Sequence, residues 1–248
     1  MKNLTPDSVI TLFIPCLVDQ VYPEIGLDMA KVLNHLGYTP FYDRRQTCCG
    51  QPAFNAGHRD EARKVAQIFI DVFTKAKCIV SPSGSCTAMV KNYYPTLFKN
   101  HQYLNQAQNI SKCIFEFSEF LIRENQLEKI KGKYQGRVGF HNSCHSYREL
   151  GIVDEPLKIL NNIDGIEIIQ PMGEPSCCGF GGLFSFKYDQ IASAMAKTRL
   201  EMFTALGAET VVTNDPGCLM HMRQEAIKRR IDIELLHLSE FLAKAMNL

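Results

Sequence analysis

The chain has 248 residues, 46% of them hydrophobic, and a formal net charge of +1. This length and composition allow one sizeable buried core or two smaller ones of about 120 residues each. The Lys and Arg residues are scattered along the chain rather than clustered, which argues against binding to nucleic acid or to an anionic membrane surface.

The first predicted element is a buried strand within the apolar run at residues 9–18. This run is too short to cross a bilayer core of about 30 Å, which needs roughly 20 apolar residues, and no later run approaches that length. No small-residue cleavage site of an export signal follows it. We therefore expect a cytoplasmic protein with no transmembrane segment.

Later elements alternate between helical and β-type periodicity. Apolar residues recur at helical spacing in residues 62–73 and 191–205, and short β-type runs lie at residues 78–80 and 210–212. Each half is therefore predicted to contain strand, helix, strand, helix, strand, helix, an alternation that favours a parallel sheet covered on both faces. The glycine-bounded residues 132–136 mark the predicted linker.

The chain contains an internal repeat that its cysteines make visible. Residues 9–16 match residues 137–144 as a strand running into a cysteine, and a Cys-Cys-Gly motif occurs once in each half. Residues 78–86 match residues 210–218 without a gap, and Ser-Glu-Phe-Leu at 118–121 recurs at 239–242. Eight of the ten cysteines follow this one template: Cys16, Cys48, Cys49 and Cys86, then Cys144, Cys177, Cys178 and Cys218. Cys78 and Cys113 have no counterpart and are predicted to be ordinary buried thiols.

The repeat and the alternation together predict the fold class. It is α/β, with two similar Rossmann-like repeats whose short parallel sheets are flanked by helices and related by internal pseudo-symmetry. The first cysteine-rich repeat is predicted at residues 1–131 and the second at residues 132–248.

The eight repeated cysteines predict a metal or redox site in each half. A reducing cytosol keeps thiols free, so disulfides explain them poorly. Sites in open α/β sheets lie beyond the carboxyl ends of the strands, where Cys16, Cys86, Cys144 and Cys218 are expected. Four thiolates brought together in this way suit an iron–sulfur cluster or zinc.

Three alternatives to an iron–sulfur cluster stay open, namely zinc, a vicinal disulfide and a catalytic dithiol. Structural zinc sites usually take ligands in pairs two to four residues apart, and this sequence has no Cys-x-x-Cys. The side chains of two adjacent cysteines point in different directions, which suits a cluster of several irons better than a single ion. We therefore favour an iron–sulfur cluster in each half, with Gly50 and Gly179 allowing a tight turn after each pair.

Three histidines lie close to the cysteines in sequence, His141, His145 and His221. The first half has no histidine at the equivalent places, so the sequence favours solvated or capping side chains over ligands. The glycines at 179–182 do not form a dinucleotide motif, because Phe184 stands where a third glycine is required.

The arrangement Cys, about 32 residues, Cys-Cys-Gly, about 37 residues, Cys, present twice, resembles a known family of cysteine-rich CCG domains. The family includes the cysteine-rich subunits of heterodisulfide reductase and of anaerobic glycerol-3-phosphate dehydrogenase, and the iron–sulfur subunits of glycolate oxidase. Its short, stand-alone form is the lactate utilisation protein A family, which this chain resembles over nearly its whole length. Four of its segments carry that likeness: Phe13-Ile-Pro-Cys16, Thr47-Cys-Cys-Gly-Gln-Pro52, Ser83-Gly-Ser-Cys86 and Cys177-Cys-Gly-Phe-Gly-Gly182.

The chain departs from the fullest family pattern, which ends each repeat in Cys-x-x-Cys. Ser83 and Asp215 occupy the place of the first of these cysteines. Four thiolates per half fit a conventional 4Fe-4S cluster rather than a non-cubane cluster held by five. Asp215 is expected as an oxygen ligand or a neighbouring partner, and Ser83 as a hydrogen-bond donor to sulfur or a turn residue.

The resemblance implies an iron–sulfur redox subunit of L-lactate oxidation that transfers electrons with partner proteins. The implied partners are a ferredoxin-like iron–sulfur protein, lactate utilisation protein B, and a third protein, lactate utilisation protein C. No flavin or nicotinamide motif is visible, and a one-electron cluster cannot accept a hydride directly, so the chain is expected to need these partners. A disulfide reductase subunit and a zinc-binding structural module remain the alternative functions.

Overall fold

The computed structural model describes residues 4–5, 7–172 and 176–248. Its eight strands are β1 (Val9–Leu12), β2 (Thr39–Tyr42), β3 (Ile79–Ser81), β4 (Ile114–Glu116), β5 (Gly132–His141), β6 (Ile163–Ile169), β7 (Thr210–Thr213) and β8 (Glu234–His237). They form two four-stranded sheets, with the order β2-β1-β3-β4 in the first half and β6-β5-β7-β8 in the second. All neighbouring strands pair in parallel.

Helices connect the strands and cover the sheets. In the first half they are α1 (Cys16–Val21), α2 (Pro23–His35), α3 (Gln51–Asn55), α4 (Arg59–Phe73), α5 (Gly84–Ala88), α6 (Tyr94–Leu97), α7 (Leu104–Cys113) and α8 (Phe117–Arg123). In the second half they are α9 (Glu155–Leu160), α10 (Leu183–Lys187), α11 (Asp189–Ala205), α12 (Pro216–Arg229) and α13 (Leu238–Met246). Short irregular turns complete the set: two π-helical turns, Met89–Tyr93 and His145–Glu149, and a 3-10 turn, Leu127–Lys129. No helix in the described part of the chain is long and apolar enough to cross a membrane.

The predicted α/β fold with two pseudo-symmetric repeats is confirmed, and two details of the prediction are wrong. Each half has four strands instead of three, because the short strands β4 and β8 were not predicted. Residues 132–136 are not a linker. They begin β5 and pair with β6 across a bulge between Lys133 and Gly136, since the two glycines accommodate the irregular register.

Apolar stripes at helical spacing hold α4 against its sheet. Ala62, Ala66, Phe69 and Phe73 are fully buried on one face of α4, as the period of 3.6 residues requires. On α11 the equivalent stripe contains an arginine, Arg199, which is only 4% exposed.

The larger of two hydrophobic clusters contains residues of both halves, whereas the smaller one lies within the first half. The last helix of each half packs on the other half, with α13 against α2 and α8 against α9. The buried Ser239 Oγ at the start of α13 donates a hydrogen bond to the carbonyl of Ile25 in α2 at 2.8 Å. This crosswise packing fixes the carboxyl ends of both sheets relative to each other.

Candidate metal centre

The eight repeated cysteines all lie at or beyond the carboxyl ends of the strands. Cys16 opens α1 just after β1, and Cys144 follows β5 at the start of a π-helical turn. Cys86 and Cys218 lie in the first turns of α5 and α12. The Cys-Cys pairs lie in the segments that follow β2 and β6. Parallel strands end at the same edge of a sheet, which is why residues so distant in sequence meet.

In the first half the four sulfur atoms form a contiguous row. Sγ of Cys16 is 3.8 Å from Sγ of Cys48, and Sγ of Cys49 is 3.4 Å from Sγ of Cys86. The side chains of Cys16 and of Cys49 both lower the pKa of Cys48. The adjacent cysteines therefore point to different partners, as the sequence predicts.

The second half repeats this arrangement. Sγ of Cys178 lies 3.1 Å from Sγ of Cys218, and the Cys144 side chain lies close enough to Cys177 to lower the pKa of Cys177. In each half the neighbouring thiols lower the pKa of the first cysteine of the Cys-Cys pair. The largest cause is the Cys16 side chain for Cys48 and the Cys144 side chain for Cys177.

Each Cys-Cys pair is followed by a left-handed glycine. Gly50 has φ of 82° and Gly179 has φ of 90°, and their amides donate hydrogen bonds to Sγ of Cys48 and Cys177 at 3.4 and 3.3 Å. A Cβ on Gly179 would lie 2.5 Å from the carbonyl oxygen of Ala192. The predicted tight turn is therefore present in both halves, and in the second half only glycine fits it.

Both quartets open onto one cavity. Its volume is about 340 Å³, and all eight repeated cysteines line it, together with His145, Asp215 and Phe186 among others. Burial differs along each row: Cys16 is exposed, whereas Cys49 and Cys178 are each only 2% exposed. Soft sulfur donors that converge on a space of this size have the chemistry expected of a metal or cluster site. As predicted, Cys78 and Cys113 are buried thiols, and neither is among the residues that line this cavity.

Asp215 and Ser83 join the two halves in the lining of this cavity. One carboxylate oxygen of Asp215 accepts from the amides of Gly217 and Cys218, at 3.0 and 3.4 Å. The other accepts from Ser83 Oγ at 3.1 Å and from the amide of Ser85 at 2.8 Å. Both oxygens are thus occupied by donors from the protein, so Asp215 is a cap and neighbouring partner instead of an oxygen ligand. Ser83 caps α5, accepting from the amide of Cys86.

Of the three histidines, His141 departs most from its predicted role. It is fully buried, and one of its ring nitrogens lies with Sγ of Cys178 and Sγ of Cys218 in a group of atoms within 4.8 Å of one another. Burial lowers its pKa to about 3, and the charge of Arg199 acts in the same direction. The solvated or capping interpretation is therefore wrong for His141.

His145 and His221 have ordinary partners. His145 Nδ1 is 3.7 Å from Sγ of Cys144, and its Nε2 lies 3.4 Å from the amide of Gln51. His221 donates to the carbonyl of Ala192 at 3.1 Å.

Two supporting residues were missed in the sequence. Tyr94, fully buried, donates its hydroxyl to the carbonyl of Cys49 at 2.9 Å and so holds the first Cys-Cys pair. Arg199 donates to His141 Nδ1 at 3.1 Å. Arg199 had a visible signal, because it interrupts the apolar stripe of α11, whereas Tyr94 carries no pattern that distinguishes it from a core residue.

Comparisons with known proteins agree with this architecture. A family model described as a cysteine-rich domain, CCG, matches residues 10–91 and again residues 138–223. Lactate utilization protein A 2 of Bacillus cereus is 35% identical over 239 residues, which cover 96% of this chain and 99% of that protein. Lactate utilization protein A of Halalkalibacterium halodurans is 33% identical over 94% of this chain and 96% of its own.

Among solved structures, glutamate racemase from Francisella tularensis matches with 15% identity and a TM-score of 0.40, covering 97% of this chain and 79% of its own, too weak a likeness to bear on function. The repeated family match and the full-length relatives carry the assignment. The chain belongs to the lactate utilization protein A family of proteins with two cysteine-rich CCG domains.

Proposed function

We propose that each quartet of cysteines binds an iron–sulfur cluster of the 4Fe-4S type and that the chain is a redox subunit in the oxidation of L-lactate. The observation that carries this proposal is the convergence of all eight repeated cysteines, and no other cysteine, on one cavity. The proposed ligands are Cys16, Cys48, Cys49 and Cys86 in residues 1–131, and Cys144, Cys177, Cys178 and Cys218 in residues 132–248.

The chain's own residues supply three things to such a cofactor. The thiols provide soft anionic ligands, and the first-turn positions of Cys86 and Cys218 place two of them where the helix dipole favours negative charge. The amides of Gly50 and Gly179 already point at sulfur and would hold the ligand thiolates in place. A bound cluster supplies one-electron chemistry at this edge of the sheets.

The lactate part of the proposal comes from the names of the relatives, which are lactate utilization proteins over their full length. Oxidation of lactate to pyruvate removes two electrons and two protons, normally as one hydride and one proton, so a flavin or nicotinamide site elsewhere must accept the hydride. We propose that the chain passes single electrons between such a site and its partners, a ferredoxin-like protein B and a protein C of the same system.

One distance favours a rival, zinc. A tetrahedral zinc ion with Zn–S bonds of about 2.3 Å separates its sulfur ligands by about 3.8 Å, which is the separation of the Cys16 and Cys48 sulfur atoms, 3.8 Å. Against it, structural zinc sites are closed, whereas Cys16 is exposed and both rows border a cavity.

The functional test is reduction by substrate. The chain, loaded under anaerobic conditions and mixed with proteins B and C, should lose visible iron–sulfur absorbance when L-lactate is added. The loaded chain alone should not respond. A variant carrying Cys49→Ser and Cys178→Ser serves as the control for cluster-dependent bleaching. No bleaching in the complete mixture, with both clusters present, would contradict the lactate role.

A further inference from the structure

The two halves differ at a buried pair of residues beside the cysteines. In the first half Phe13, directly after β1, packs edge-on against Phe69 of α4, with ring centroids 4.7 Å apart. In the second half the corresponding pair is His141 of β5 and Arg199 of α11, joined by a hydrogen bond of 3.1 Å. An apolar aromatic pair in one half is thus replaced by a polar, cationic pair in the other.

The correspondence follows from the repeat. Residues 9–16 match residues 137–144, so His141 is the equivalent of Phe13 in the second half. Gly50 packs against Ala62 and Gly179 packs against Ala192, so these two alanines are equivalent. Counting seven residues onward from each alanine gives Phe69 in α4 and Arg199 in α11, on the same helix face.

Arg199 fixes the proton of the His141 ring. A guanidinium group has only donors, so Nδ1 of His141 must accept, and the proton of the neutral ring is on Nε2. Nε2 is buried and has no hydrogen-bond partner among the residues that the structure describes. One ring nitrogen of His141 lies within 4.8 Å of Sγ of Cys178 and Sγ of Cys218, and sulfur is a hydrogen-bond acceptor.

We propose that His141 donates its Nε2 proton in a hydrogen bond to sulfur at the second-half site, and that this makes the second cluster the more easily reduced of the two. The inference rests on the proposed function, because it presupposes a cluster in each half. His141 is a donor and not a ligand, since coordination through Nε2 would require the loss of its remaining proton while Nδ1 is engaged by Arg199.

The expected consequence is a difference in reduction potential between the halves. Reduction adds one negative charge to a cluster, and N–H to sulfur hydrogen bonds and a nearby cation stabilise that charge. Phe13 and Phe69 offer neither. One electron shared between the sites would therefore reduce the second and leave the first oxidised, which gives electron flow through the chain a direction.

The test is a redox titration of the anaerobically loaded protein, followed by electron paramagnetic resonance. The double variant His141→Phe with Arg199→Phe introduces the pair that the first half already packs. At a fixed solution potential, we expect its ratio of reduced to oxidised second cluster to fall about tenfold, equivalent to ~59 mV for a one-electron couple. The wave that Cys16→Ser alters is assigned to the first half, and His221→Phe, another buried histidine of the second half, should leave both waves in place.

Two results would overturn the inference, and each is separate from failure of the proposed function. One is a double variant that loads both clusters with the second wave unmoved. Where the double variant does not load, His141→Gln and His141→Leu decide instead: Gln keeps an N–H donor and should retain the wild-type wave, whereas Leu should lower it. Equal shifts in the two would overturn the inference. A chain that binds no iron and sulfide contradicts the proposed function itself.

Discussion

At the residue scale, the glycine after each Cys-Cys pair has two separate reasons to be glycine. The first is its left-handed backbone, and the second is the close approach of the following helix. Gly37 has the same backbone conformation, φ of 92°, but an added Cβ there would meet nothing within 4 Å. The chain therefore contains its own control for separating the two effects.

We predict that Gly179→Ala is much more destabilising than Gly37→Ala. Left-handed backbone costs a non-glycine residue about 1 kcal/mol, which applies to both. At Gly179 the Cβ would also overlap the carbonyl of Ala192 at 2.5 Å, and such overpacking adds about 2 kcal/mol. Urea unfolding of the two variants measures the difference. Equal losses of unfolding free energy in the two variants would mean that α11 shifts to accommodate the added Cβ at no energetic cost.

Glu116 is a buried carboxyl group whose ionisation opposes folding. Burial raises its pKa from 4.5 to about 8. Above pH 4.5 the unfolded chain therefore loses this proton, while the folded chain keeps it until about pH 8. The contribution of Glu116 to stability is accordingly greatest below pH 4.5 and declines as the pH rises between these two values.

Glu116→Gln should remove this pH dependence. The backbone amides of Ser118 and Glu119 donate hydrogen bonds to the Glu116 carboxyl group at 2.8 and 3.2 Å. The side-chain oxygen of glutamine can still accept both. Relative to the wild type, the variant should gain about 2 to 3 kcal/mol of unfolding free energy as the pH rises from about 5 to about 7. Denaturant titrations at the two pH values give the comparison, and parallel pH profiles would show that Glu116 is ionised in the folded protein.

At the element scale, Asp215 caps the starts of both α5 and α12, and Ser83 caps α5 and donates to Asp215. These are the positions where the fullest family pattern has a cysteine, and in this chain they hold the two halves together at the cavity. Asp215 accepts four hydrogen bonds within one buried carboxylate, two of them from the first half.

We predict that Asp215→Ala costs about 3 kcal/mol, because it leaves buried amides of two helices without an acceptor. It should also weaken metal binding in both halves, as Cys86 and Cys218 lie in the affected turns. Asp154→Ala is the matched control, since Asp154 precedes α9 but makes no capping hydrogen bond. Thermal unfolding and metal content of both variants measure the effect. A loss of metal confined to the second half would contradict the role of Asp215 in capping both α5 and α12.

Some elements were predictable and others were not, for physical reasons. The stripes of α4 and α11 and the short strands β3 and β7 follow from periodicity, and the cysteine rows follow from the repeat. The strands β4 and β8 have only three or four residues, pair along a single edge, and carry no alternation that separates them from helix starts. The pairing of His141 with Arg199 could not be predicted from the sequence, because the two residues are 58 positions apart and meet only in the folded structure.

At the scale of the whole molecule, the crosswise packing of α13 on α2 and of α8 on α9 makes the halves one cooperative unit. The chain has no tryptophan, so a single introduced tryptophan is the only tryptophan fluorophore and reports on the half that contains it. Tyr42→Trp reports on the first half and Tyr188→Trp on the second, and both side chains are exposed, at 42% and 53%. We predict that fluorescence from the two probes gives the same unfolding midpoint. Separate midpoints would show that the halves unfold independently.

The pseudo-symmetry also relates the two rows of cysteines to each other. Two equivalent rows of sulfur face one cavity, and one row has a histidine and an arginine where the other has two phenylalanines. The sequence predicts the rows but not that they share a cavity, because the position of one sheet relative to the other depends on packing between helices distant in the chain.

The most direct test of two iron–sulfur sites is metal and acid-labile sulfide analysis, with electron paramagnetic resonance, on protein purified without oxygen. We predict about eight irons and about eight sulfides per chain, one 4Fe-4S cluster in each half. Stoichiometric zinc without iron or sulfide would contradict this prediction and assign the cysteines to a structural role.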